Sequence, residues 1–345
     1  MKKSKLTMAL LSVVMAGALA AGCGGNTKET ITGADASAGG SQTEGPKYTF
    51  RLADAHPEGY PTVVGDQKFA ELVKEKSGGR ITIEVFPSAQ LGEEKAVIEQ
   101  VQLGAIEFTR VSTGALGGFN KQYEVFSLPY IFESDEHLWK FLESDKGKAL
   151  LDSLESSRMK GLAYYSSGAR SFYSTKPLGS IDDLKGQKIR VIQNKVNIDL
   201  MEALGANATP MNYGEVFSAL QTGIIDAAEN NYPSYLTSNH YQHAKNLILD
   251  QHQRVPETLL ISKITWDKLS EADQKIILEA AQESVAVQRA EWDRFEKESE
   301  EKIKAAGVTI TEVTDLKPWQ EAVKPVIDKY RSEYGEILDA IEQAK

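Results

Sequence analysis

Apolar residues recur along this chain at two spacings that take turns. "YTFRLADAH" (48–56) alternates apolar and polar positions and predicts a first strand. Val63, Val64, Phe69, Leu72 and Val73 then follow a helical period over 62–76, and "SGGR" ends that run. "ITIEVFP" (81–87) alternates again, and the next helix spans about 93–103 before a glycine and a third strand. Strand, helix, strand, helix, strand is the signature of a layered α/β architecture.

A second series begins near residue 161. "GLAYYSSGARSFYST" is rich in strand formers, "SIDDLKG" reads as a short capped turn, and "QKIRVIQ" as another strand. "NKVNIDLMEALG" predicts a helix ending at Gly205, and "ATPMNYGEVFSALQTGIIDAAENN" a loop, a helix and a short strand. "LILDQHQRVPETLLISKITW" is extended and apolar, which suits a return to the first sheet. Residues 267–306 carry one long helical pattern, with Ser270 and Asp273 as a cap, Leu269, Ile276, Ile277 and Val285 on the apolar face, and Gly307 as a stop. Without sustained heptads it reads as a brace crossing two domains and not as a coiled coil.

The N-terminal end follows a different logic. Lys2, Lys3 and Lys5 precede an apolar run from Leu6 to Ala21, the pattern of an export leader over 1–22. The run ends at "LAAGCGG", where Cys23 is the only cysteine. The stretch resembles a bacterial lipoprotein signal, with Cys23 as the lipid-attachment residue, although Leu19 stands one place early; a plain leader with an incidental cysteine is the alternative. Residues 23–46 are rich in Gly, Ser, Thr and Ala and too polar to order themselves, which predicts a flexible tether. No second apolar run approaches membrane-spanning length.

Charge narrows the partners. The chain carries a net charge of −10, and removing three leader lysines and no acids gives −13. Such a body disfavours nucleic acid and basic-patch adhesion to anionic lipid. Catalytic signatures are missing: there is no H-E-x-x-H, no G-x-S-x-G and no phosphate loop, and "GALGGF" lacks dinucleotide spacing. His240 and His243 have no acid or cysteine at ligand spacing, so neither a metal nor any other cofactor is expected. An exported enzyme stays open as a lesser reading.

Only ten of the 39 basic residues are arginine, yet Arg170 and Arg190 stand twenty apart in "GARSFYSTKPLGSIDDLKGQKIRV". A guanidinium presents five donors in a rigid fork that matches a carboxylate; lysine presents a hydrated point charge. By residue type alone, both arginines could equally pair with Asp182, Asp183 or Glu229.

This stretch, with "FPSAQLGEEKAVIEQVQLGAIEFT" (86–109), "FSLPYIF" (126–132) and "PMNYGEVFSALQTGIIDAAEN" (210–230), resembles the substrate-binding proteins of tripartite ATP-independent periplasmic (TRAP) transporters, the family of dicarboxylate and sialic-acid receptors. The likeness runs over nearly all of 48–340. It implies a two-lobed α/β fold of the periplasmic-binding-protein kind with a long helix bracing both lobes, 47–167 plus 256–295 forming the first and 168–255 plus 296–345 the second. It implies a monomer, held at the outer face of the cytoplasmic membrane or free in the periplasm, that hands a small organic acid to permease subunits driven by a sodium gradient. A ligand-sensing module for a signalling receptor would use the same cleft.

The resemblance also assigns residues. Arg190 makes the two-pronged bridge to the ligand carboxylate, Arg170 assists from the neighbouring strand, Asn230 bonds the same carboxylate, and Tyr213 lies against the ligand. Asp54, His56, Glu94 and Ser112 are aligned with the opposite wall, and Gln193, Asn194 and Asn197 stand beside Arg190. "RVIQNKVN" lacks the proline often found two residues after the arginine, which bears on Gln193. His56 in a turn and Glu94 at a helix start also have ordinary surface readings. A wall of His, Glu, Gln and Asn favours a hydroxylated monoacid such as a uronate, with C4-dicarboxylates next, because a cleft carboxylate accepts from hydroxyls and repels a second acid.

Overall fold

A computed structural model describes residues 45–345. The leader, Cys23 and nearly all of the tether lie outside the described residues. Among those described, no helix is long and apolar enough to cross a membrane.

The alternating segments become eleven strands: β1 (Tyr48–Ala53), β2 (Ile81–Phe86), β3 (Phe108–Ser112), β4 (Met159–Tyr165), β5 (Ala169–Ser174), β6 (Lys188–Val191), β7 (Asn207–Pro210), β8 (Ala227–Asn230), β9 (Asn246–Arg254), β10 (Glu257–Ser262) and β11 (Thr309–Glu312). They form two sheets. The first has the order β2-β1-β3-β10-β4 and the second β11-β9-β5-β8-β6-β7. Strands β1, β2 and β3 run parallel, as do β6, β7 and β8, while β10 and β5 are antiparallel to their neighbours. The predicted extended return over 247–266 is divided: Pro256 lies between β9 in the second sheet and β10 in the first, and Lys263–Trp266 closes into a helical turn.

Each sheet is covered on both faces. Phe50, Leu52 and Leu259 pack with Phe69 and Val73 of the helix Pro61–Lys76 and with Ile277 and Ala281 of the long helix. Across the first sheet, Val97, Ile98 and Val101 of the helix Glu94–Gln102 share a core with Phe126, Phe141 and Leu150. In the second sheet, Ile189 and Ala227 meet Leu200 and Trp319 on one face, and Ala228 and Leu247 meet Leu220, Tyr235 and Ile303 on the other.

The predicted brace is the helix Glu271–Ala305, in which Ser270 accepts from the Asp273 amide at 3.1 Å. Such a cap contributes about 1 kcal/mol. The helix begins against the first sheet's core and ends with Ile303 in the second's. Midway, Gln288 accepts from Ser166 N at 2.7 Å and donates to Ser166 O at 3.0 Å, tying it to the chain between β4 and β5. Gly168 in that crossing has φ +57, and a Cβ there would lie 2.7 Å from Glu296 and 2.9 Å from Trp292. Left-handed backbone and close approach both require glycine at this point. The C-terminal helix Lys317–Gln343, expected within the second lobe, divides its side chains: Trp319 and Val323 pack with the second sheet, and Val326 through Ile341 with the far core of the first.

Candidate functional site: a cleft between two sheets

The C-terminal ends of β1, β3, β6 and β8 point into the space between the sheets, the usual ligand position in open α/β sheets. The antiparallel β10 begins there: Glu257 pairs in register with Ser112, the last residue of β3. Antiparallel β5 also begins there with Ala169 and Arg170. Between these ends lies a tight, partly open cavity of about 30 Å³. Arg190, Arg170, Asn230, Glu94, His56 and Tyr213 all line it. Four other predicted residues, Gln193, Asn194, Asn197 and Asp54, do not. Gln193 faces an adjoining groove and donates to Asn212 at 3.2 Å. Asn194 caps the helix Lys195–Ala203 and donates to Gly114 O and Ser127 Oγ at 3.0 and 2.9 Å. Asn197 donates to Ile192 O at 3.3 Å, and Asp54 lies behind the wall.

Arg190 is 5% exposed and carries no ion pair among the described residues. Its Nε and one terminal nitrogen both donate to Met211 O, at 3.1 and 2.9 Å. Burial pulls its pKa below the ordinary guanidinium value, although Glu229 pulls the other way. The Tyr213 ring lies 5.8 Å from the guanidinium carbon. A buried cation without a counter-ion is costly unless something supplies one.

Arg170 is different. Both ends of its fork engage Glu229, and its remaining nitrogen donates to Asn230 Oδ1 at 2.9 Å. The pairing with Glu229, one of the readings its residue type allowed, is therefore present. Its charge is largely balanced inside the protein. Asn230, with its oxygen taken by Arg170 and by Asn231 N, offers its amide NH₂ to the cavity it lines.

The opposite wall holds a group that sequence reading passed over. Arg110 of β3 is fully buried and pairs with Asp54, with Glu94 at 3.1 Å and with Glu257 at 2.7 Å. Burial alone would raise the Asp54 carboxyl; Arg110 outweighs it and holds it below the usual range. Burial pushes Glu257 up to about 7 against the pull of Arg110, with Glu94 adding repulsion. Asp66, buried nearby, is raised well above the carboxylate range by burial and then by the Asp54 charge. His56 is pushed down to about 3 by burial and by Arg110, so its ring is neutral at pH 7. It stacks on Tyr60 at 3.8 Å, and its Nδ1 has no partner among the described residues.

Ser112, expected on this wall, lines the cavity too, as do Glu257, Ser167 and Ser234. One signal for Glu257 was visible: an acid just ahead of the apolar triplet Leu259–Ile261 in an extended segment. Nothing local marked Arg110, whose acid partners Asp54, Glu94 and Glu257 lie 56, 16 and 147 residues away.

The walls already touch. Tyr60 and Ser234 share a hydrogen bond of 2.8 Å, and Gly214 N donates to Glu93 at 3.4 Å across the mouth. Two doubly covered sheets joined by three crossings and closed on a cavity with an unpaired cation define a two-lobed solute-binding receptor. The narrower identity comes from comparison. The family described as bacterial extracellular solute-binding protein, family 7, matches residues 52–333, and the chain belongs to that family, the periplasmic solute receptors of TRAP transporters. These receptors bind small organic acids and work with membrane permeases; the family is not one of enzymes. A solute-binding protein of Chromohalobacter salexigens is 39% identical over 290 residues, covering 84% of this chain and 86% of the relative. A TRAP periplasmic solute-binding protein from Pseudomonas putida F1, crystallised with bound D-glucuronate, matches with TM-score 0.84 and 42% identity over 86% of this chain and 97% of that one. A second, from Xanthobacter autotrophicus Py2 with bound β-D-galacturonate, gives TM-score 0.82 and 42% identity over 86% and 98%.

Proposed function

We propose that this receptor binds a hexuronate, with the sugar carboxylate on Arg190 and the ring hydroxyls on the Glu94–Glu257 wall. The observation that carries the reading is Arg190, buried and without an anionic partner among the described residues. A ligand carboxylate supplies the missing charge, and bidentate charge-assisted bonds in a closed cleft are strong. Asn230 and Arg170 add donors beside it.

The far wall selects against a second acid. Arg110 is one cation among Asp54, Glu94 and Glu257, so the wall is electron-rich and accepts from hydroxyls. A C4-dicarboxylate would place its second charge against Glu94 and Glu257, and desolvated like charges are expensive. Neutral His56 adds a ring nitrogen that a hydroxyl can satisfy. Closure holds the ligand only through contacts present in the closed state, and the bound form is handed to the permease. Lipid attachment through Cys23, with the tether as spacer, would hold the receptor on the outer face of the membrane as a monomer.

A thermal-shift screen of the purified protein over uronates, aldonates and C4-dicarboxylates tests the assignment. Ligand at 100 times its dissociation constant stabilises by about 2.7 kcal/mol. Glucuronate or galacturonate should give the largest shift. A larger shift with succinate or malate would overturn the reading.

A further inference from the structure

The ligand cavity has a continuation. Glu94, Arg190, Ile192 and Tyr213 line it and also line a groove of about 290 Å³ that reaches the surface beside Lys95 and Gly118. Ala115, Phe119 and Met211 give this groove partly buried apolar walls. Gln193 and Asn212, bonded to each other at 3.2 Å, present fixed polar edges. Apolar walls with convergent polar groups suit a pyranose, whose CH face is apolar and whose hydroxyls need partners. The charges at the rim are Glu93, Glu94 and Glu99 against Lys95, an arrangement that accepts from hydroxyls and opposes another carboxylate.

The geometry points to a second subsite: the groove takes a neutral sugar glycosidically joined to the bound uronate, so the receptor captures aldobiuronic acids as well as free uronates. This rests on the uronate reading above. The groove meets the cavity at Arg190, so a unit held in the groove lies beside the carboxylate that Arg190 binds.

Isothermal titration with three probes tests it: glucuronate, glucuronate linked to one xylose, and digalacturonate. The wild-type protein should bind the aldobiuronic acid within about tenfold of glucuronate, and digalacturonate at least about thirtyfold more weakly than the aldobiuronic acid. Ala115→Trp fills the groove; it should weaken the aldobiuronic acid about tenfold or more and leave glucuronate within about twofold, a value that also certifies the fold. Phe119→Ala removes a wall without adding bulk, should cost the aldobiuronic acid about threefold or more, and decides the matter if the tryptophan variant loses glucuronate too. Tight glucuronate binding with the aldobiuronic acid more than tenfold weaker would end the subsite alone. So would equal binding by both variants, and digalacturonate binding as well as the aldobiuronic acid would end its neutral-unit character. Failure of glucuronate itself would instead strike the uronate reading.

Discussion

Arg110 and Arg190 face one another's territory across the cleft, each buried, each near the C-terminal end of a central strand. Arg110 is surrounded by Asp54, Glu94 and Glu257, whereas Arg190 has only a backbone carbonyl. The same side chain at the same depth thus serves two ends. One neutralises an acidic wall that the fold has already assembled; the other keeps a charge in reserve for a ligand. What separates them is the count of carboxylates in reach. Arg170, paired with Glu229, is closer in character to Arg110 although it shares a cavity with Arg190.

The largest effects should split along that line. Arg110→Ala strands the buried Asp54 and Glu257 and the half-buried Glu94, and should cost about 3–5 kcal/mol of stability, read by urea unfolding of the empty protein. Arg190→Ala should cost the same about 3–5 kcal/mol in ligand affinity, roughly two to three and a half decades by titration. It should not lower the urea midpoint, because no internal carboxylate loses its partner. If Arg190→Ala unfolded the protein as readily as Arg110→Ala, the two arginines would be alike and the contrast would fail.

A pH experiment sharpens the acidic side. Glu257 has a folded pKa of about 7, above its unfolded value near 4.5. The unfolded chain then releases this proton first, so stability falls as pH rises from about 4.5 to about 7 and is level above. A shift of that size corresponds to something on the order of 3 kcal/mol. Glu257→Gln should remove this component, so its loss of stability between pH 5 and pH 8 should be smaller than wild type. An identical pH profile in the variant would show that Arg110 keeps Glu257 ionised throughout.

Arg190→Lys should have the smallest effect. It retains charge but loses one prong of the fork, a charge-assisted hydrogen bond of about 1.5–3 kcal/mol, or roughly ten- to hundredfold in affinity. Wild-type affinity in the lysine variant would mean that charge alone, without the fork, holds the ligand.

Much of this site stood within local sequence. "KIRV" is a short strand with Arg190 on it, "AEN" ends β8 at Asn230, and "HPEGYP" brings His56 into a tight loop. Gln193 and Asn194 show the limit of adjacency. They follow Arg190 directly, but the chain turns into a helix there, so Asn194 is spent on the cap and Gln193 points to the groove. Arg170 shows another limit. Its partner Glu229 lies 59 residues away, and only the β5–β8 register brings the two together.

Periodicity, glycine stops and the Ser270 cap were enough to set the kind and order of elements, because propensity, patterning and capping act within a few residues. Which arginine would be left without a counter-ion was a matter for the tertiary structure alone. Burial and the distance to carboxylates decide it, and both depend on sheet order, crossings and register. Those place Glu257 beside Ser112 and Arg110 over a separation of 147 residues, while leaving Arg190 with Met211 O.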